Sequence, residues 1–95
     1  LISHSVTTGS YTAGTNSEII IYCDCTSGDV TVNLPTTASS VDRKFHIKKT
    51  DTSANKVIID GNAAETIDKQ TTQELIGASL PSVLIHCDGT EWWIH

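Results

Sequence analysis

Ninety-five residues suffice for one domain, burying roughly 60–65% of the surface its unfolded chain exposes. Eleven acidic residues against six basic ones give a net charge of −5, which argues against a nucleic-acid partner that would need its phosphates neutralised over a basic face. No apolar run approaches the ~20 residues of a membrane span, and no basic-then-apolar leader opens the chain, so membrane insertion is not expected.

The chain starts at Leu1 and holds no methionine, which reads as a piece of a longer polypeptide. Residues 1–17 are polar and carry turn signals at Gly9, Gly14 and Asn16. Only Ile2 to Val6 alternates there, so this stretch is expected to be an edge strand or an arm joining a preceding segment. Residues 18–95 are expected to form a single β domain.

Glu18 to Cys25 reads as a strand with Ile19, Ile21, Cys23 and Cys25 inward, and Ser27-Gly28 as its turn. Pairing across that turn sets Cys25 opposite Val30, Cys23 opposite Val32 and Ile21 opposite Leu34, so every inward position is apolar in one register. Pro35 ends the second strand because it cannot donate to a ladder. Lys44 to Lys49 alternates with Phe45 and Ile47 inward and Lys44, His46 and Lys48 outward. A polar connection leads to Lys56–Asp60, apolar on both faces, and then come a short extended piece at Glu65–Asp68 and a strand at Thr72–Ile76. No tandem repeat of useful period is visible.

In the last segment Asp88-Gly89 predicts a two-residue type I′ hairpin. That register places Cys87 opposite Thr90, His86 opposite Glu91, Ile85 opposite Trp92 and Leu84 opposite Trp93. Val83, Ile85, Cys87, Trp92 and Ile94 then face the core. The other face mixes a His86–Glu91 couple, either a hydrogen-bonded pair or a pH-responsive contact, with the apolar Leu84–Trp93 couple. Short strands with turn signals every eight to twelve residues predict an all-β fold, a small antiparallel sandwich or barrel-like module.

Three cysteines, an odd number, do not describe a disulfide scaffold. Cys23 and Cys25 share a face of one strand and are poorly placed to bridge each other. They read as buried thiols in a protein assembled in a reducing compartment. The competing reading is a metal site of Cys23, Cys25 and Cys87 with a histidine, although neither spacing is a zinc pattern. Asp60, Glu65, Asp68 and Glu74 read as a solvated turn region before a paired acid and base, and Asp60 to Glu65 lacks the spacing of a calcium loop. No nucleophile-elbow motif occurs, so neither catalysis nor a cofactor is expected. Trp93, outward by parity, suits an interface, a sugar-stacking platform or packing on Leu84.

Four stretches occur in one order: Ser27-Gly-Asp-Val-Thr-Val-Asn-Leu-Pro35, then Lys44 to Gly61 with its Lys-Lys-Thr-Asp-Thr-Ser-Ala-Asn core, then Glu65-Thr-Ile-Asp68, then Ser82 to Trp92. This succession, from near Glu18 to the end, resembles a module of tail fibres, tailspikes and other appendage proteins of tailed bacteriophages. The resemblance implies an all-β module in an elongated homotrimeric virion fibre, assembled in the host cytoplasm beside other appendage segments. It also implies a joint, a trimerisation unit or a receptor-binding tip for a host-surface glycan or protein, with no catalytic residues. The three cysteines and the doubled Trp92-Trp93 depart from the family pattern.

The apolar faces left over by alternation point to self-association. Ile20 and Tyr22 lie opposite the inward set of their strand, Ile58 opposite Val57 and Ile59, and Leu84 with Trp93 opposite the core side of the final hairpin. An antiparallel sheet normally gives one face to water and fills it with polar residues, so Ile20, Tyr22, Leu84 and Trp93, with His86 and Glu91, are the candidate interface or binding residues.

Overall fold

Residues alternating apolar and polar in runs of three to six, punctuated by Gly, Asn, Asp and Ser, bury one side by forming strands. The computed structural model describes residues 2–14 and 17–95; Leu1 and the turn signal at Asn16 lie outside them. Among the described residues there are nine strands and no helix: β1 (Ser3–Val6), β2 (Ser10–Thr12), β3 (Ile20–Cys23), β4 (Val30–Asn33), β5 (Lys44–Lys49), β6 (Val57–Asp60), β7 (Thr72–Leu75), β8 (Ser82–Cys87) and β9 (Trp92–Ile94).

They form two sheets around one core, a five-stranded sheet ordered β1-β3-β5-β8-β9 and a four-stranded sheet ordered β2-β4-β6-β7. The all-β, two-layered expectation stands, but the sheets are mixed and not antiparallel. β1, β3 and β5 run parallel, as do β2, β4 and β6. Up to β6 the chain is therefore wound as a coil in which each turn lays one strand in each sheet. β7 then turns back antiparallel on β6, β8 pairs antiparallel with β5 in the other sheet, and β9 closes that sheet antiparallel to β8. β1 and β2, from the first seventeen residues, stand at the free parallel edge of each sheet.

Two expected hairpins are corrected by this winding. β3 and β4 do not pair; they belong to opposite sheets, and Ile21, Cys23 and Cys25 meet Val30, Val32 and Leu34 within the core. Inward parity is the same for a hairpin and for a chain crossing between layers, so alternation alone cannot separate them. In the final hairpin Cys87 pairs with Trp92, His86 with Trp93 and Ile85 with Ile94, leaving residues 88–91 as a four-residue connection. Only Gly89 takes a positive φ there, at 101°, whereas a type I′ turn requires two such residues. Asp88 acts through its side chain instead: Oδ1 accepts the Thr90 and Glu91 N–H groups at 2.8 and 2.9 Å. Because the register moves by an even number of residues, the paired residues of β8 and β9 keep their expected faces, and only the connection departs from them.

The core is built from these inward sets. Ile21, Cys23, Phe45, Ile47, Ile85, Cys87 and Trp92 from one sheet meet Val30, Val32, Val57 and Ile59 from the other, all fully buried. Each large side chain contributes about 1.5–3 kcal/mol. Phe45 and Trp92 pack at 5.6 Å between centroids, and at the β1–β2 end His4 stacks on Tyr11 at 4.1 Å. Ile19, expected inward, is 51% exposed because it precedes β3 at the margin of the sheet. Gly61 follows β6 where a Cβ would sit 2.2 Å from the Glu65 carbonyl oxygen, so no other residue fits that turn.

Parity also sends Lys49 inward, in line with Phe45 and Ile47. Its ammonium is completely buried and donates to the Asp51 and Ser53 carbonyl oxygens at 2.9 Å, to Asp51 Oδ2 at 3.2 Å and to the Gly77 carbonyl oxygen at 3.2 Å. Asp51 Oδ1 accepts the Cys25 N–H at 2.7 Å. One buried charge thus joins the end of β5, the corner between β3 and β4 and the loop before β8.

Removing the ammonium takes a donor from three carbonyl oxygens, those of Asp51, Ser53 and Gly77, and leaves the Asp51 carboxylate without its counter-charge. Lys49→Met is therefore expected to lower unfolding free energy by about 3 kcal/mol in urea denaturation; a loss under about 0.5 kcal/mol would contradict this account. The thiols give a second check. Burial, then the neighbouring Cys25, pushes the Cys23 thiol up to about 12, and burial raises Cys25 and Cys87 as well. Thiol titration of the native chain should be slow and reach three per chain on unfolding, and prompt native labelling would contradict the packing.

Candidate functional site

The outward face of the five-stranded sheet gathers five of the six candidate residues. β3 places Ile20 and Tyr22 there, β8 places Leu84 and His86, and β9 places Trp93. The register arranges them in rows. Ile20, His46 and Leu84 form one; Tyr22, Lys48 and Ser82 a second; Lys44, His86 and Trp93 a third. Ile20 and Leu84 are therefore separated by the basic column of β5, about 10 Å apart at the usual strand spacing, and do not form a continuous apolar patch. Tyr22 is 37% exposed, while Ile20, Leu84 and Trp93 are half-buried.

Glu91 is not on this face and does not meet His86, which corrects the expected couple. The four-residue connection turns Glu91 into the fold, where it is 7% exposed. There it accepts from Lys69 Nζ at 3.0 Å and from the Lys69 N–H at 2.6 Å. Burial pushes its carboxyl up, but these hydrogen bonds outweigh burial and hold it below the usual range. His86 instead shares a hydrogen bond with Asp42 at 3.2 Å, and its ring lies 6.0 Å from that of His95, edge on.

Trp93 is held from two sides. Its Nε1 donates to Asp88 Oδ2 at 2.9 Å, and the Lys69 ammonium lies 5.1 Å from its ring centroid. The Trp93 indole, then the Thr90 and Glu91 donors, hold the Asp88 carboxyl far below the ordinary carboxylate range. The ring is thus fixed, with its ordering cost already met before any contact is made.

Two shallow depressions cross the face. One, of about 290 Å³, is lined by Lys44, Leu84, His86 and His95; the other, of about 180 Å³, by Ile20, Tyr22, His46 and Lys48. His46 and Lys48 matter here because the parallel pairing of β3 with β5 sets them beside Ile20 and Tyr22, Lys44 because β8 sets it beside His86, and His95 because it follows β9 against Leu84. In the sequence they carried no signal beyond outward parity.

The other sequence candidates are dispersed. Glu65 accepts from the Thr37 N–H and hydroxyl, Asp68 from the Ile94 N–H, and Glu74 pairs with Lys56 at 2.9 Å. Among the described residues no group of three or more His, Cys, Asp or Glu is placed to hold a metal ion. Comparison with protein-family models, with curated proteins and with solved structures finds no match in any of the three.

Asp88 gives a pH prediction. A carboxyl depressed in the folded state stabilises it above the unfolded value of 3.8, and that stability is lost as pH falls toward the folded value. The thermal midpoint should therefore be flat from pH 7 to about 5 and fall below about pH 4, with a smaller fall in Asp88→Asn. An identical acid slope in the variant would contradict the role given to Asp88.

Proposed function

We propose that the chain is a structural, self-associating module of a bacteriophage virion appendage, a tail fibre or spike taking part in host attachment. It works by binding and not by catalysis. The observation that carries this reading is the winding. A coil that adds one strand to each sheet per turn is extensible in one direction, and β1 and β2 leave two parallel edges unpaired at one end while β7, β8 and β9 fold back at the other. Such a unit suits an elongated body of stacked strands, in keeping with the ordered stretches that resemble phage appendage modules. The expected assembly is a homotrimer on the virion, alongside other appendage segments.

Large apolar side chains at the β1–β3 end support the association. Ile2 is 68% and Ile19 51% exposed, and they are neighbours, the Ile19 N–H donating to the Ile2 carbonyl oxygen at 2.9 Å. A receptor-binding tip is the second reading, favoured by the basic and aromatic outward face of the five-stranded sheet.

Light scattering of the purified chain should give three times its mass. Ile19→Asp, which sets a charge beside Ile2 without entering the core, should weaken association at least about tenfold. A wild-type chain that stays monomeric at high concentration, or a variant that associates as tightly as wild type, contradicts this assembly.

A further inference from the structure

Cationic charge in this acidic chain is segregated. Lys49 is buried against Asp51, Lys56 pairs with Glu74 at 2.9 Å and Lys69 with Glu91 at 3.0 Å. Lys44 and Lys48 have no carboxylate partner among the described residues, and both project from β5 onto the outward face of the five-stranded sheet. No carboxylate projects from the strands of that face, which adds His46 and His86 to the two lysines. The strands of the opposite sheet carry Asp60 and Glu74 and no base. A chain of net charge −5 thus presents a local basic surface, beside a ring already pinned in place.

We infer that this outward face binds an acidic polysaccharide, a polymer of sugar rings bearing carboxylate groups, laid along β5. Four features fit that ligand. Lys44 and Lys48 lie about 13 Å apart along the strand, spaced for successive acidic groups with sugar rings between. Tyr22 on one side and Trp93 on the other offer apolar surface to the C–H faces of sugars. The two depressions give the rings places to sit. Asp42, with an 84% exposed side chain, and Asp88 stand at one end of the face as hydroxyl acceptors. Two lysines neutralise too few phosphates to hold a nucleic acid at physiological salt.

The biological meaning of this site rests on the attachment reading above, but its test does not depend on the oligomer. Polygalacturonate, uncharged dextran and a single-stranded DNA oligonucleotide are titrated onto the wild-type chain at low and physiological salt, with light scattering on the same samples. Polygalacturonate should bind, dextran should not, and DNA should bind at least about tenfold more weakly at physiological salt. Lys44→Glu with Lys48→Glu should weaken polygalacturonate binding at least about tenfold, and Lys56→Gln should leave it within about twofold. An NMR titration of wild type guards against a misfolded variant: the Trp93 indole N–H should shift on ligand addition while that of Trp92 stays in place. Absence of polygalacturonate binding, equal affinity for the DNA, an unaffected double variant or a stationary Trp93 signal would each overturn the site. Loss of the threefold mass with binding intact removes only the assembly, and the reverse result removes only the site.

Discussion

One buried charge, that of Lys49, ties the end of β5 to the loops around it. A lysine ammonium taken out of water costs several kcal/mol unless each of its protons finds an oxygen. Lys49 meets that requirement with three backbone carbonyls from two segments and one carboxylate, so those segments must come together if β5 is to continue its alternation inward. Burial would raise the Asp51 carboxyl, but the donors Ser53, Cys25 and Lys49 override it and hold it far below the usual range. Replacing both partners of the pair by well-packed apolar side chains could be as stable, whereas removing the ammonium alone is costly. A β5 slipped by one residue would exchange its two faces and turn Lys44, His46 and Lys48 inward.

That constraint sits at the end of β5, the central strand of its sheet. β5 is paired parallel to β3 on one side and antiparallel to β8 on the other, so it is the junction between the coil and the segment that closes it. Its outward side chains are basic; those of β3 are Ile20 and Tyr22, and those of β8 are Ser82, Leu84 and His86. The lysine stems can lie along the half-buried Ile20 and Leu84 while the ammonium groups stay at the surface, that of Lys48 donating to the Leu80 carbonyl oxygen at 2.8 Å. The face is therefore neither an ordinary solvent side nor a continuous apolar patch, and its mixed character follows from which strands the winding makes neighbours.

The second local determinant is Asp88. Its carboxylate closes the 88–91 connection through backbone donors and also fixes Trp93, so the same residue shapes the turn and sets the angle of the outward ring. Glu91 and Lys69 complete the arrangement from beneath. A two-residue turn would have left Glu91 on the surface beside His86. The longer connection buries it and frees His86 for Asp42.

The sequence by itself determined the β class, the strand positions from β3 onward, and which side chains within the strands point inward, because a period of two is set by the backbone and holds in any sheet; it failed at Ile19 and Glu91, which lie outside the paired residues. It also separated Trp92 from Trp93, since a register error of two residues leaves parity untouched. Inward Lys49 was equally legible by parity with Phe45 and Ile47, although its charge made it look like surface. Only the tertiary structure decided which strands are neighbours. Parallel pairing joins Ser3 to Ile20 and Ile20 to His46 across coils of unequal length, leaving no repeat to detect. Alternation records the side on which a residue lies and carries no information about the strand beside it. That is why the basic column of β5 between Ile20 and Leu84, and the removal of Glu91 from that face, emerged only once the chain was folded.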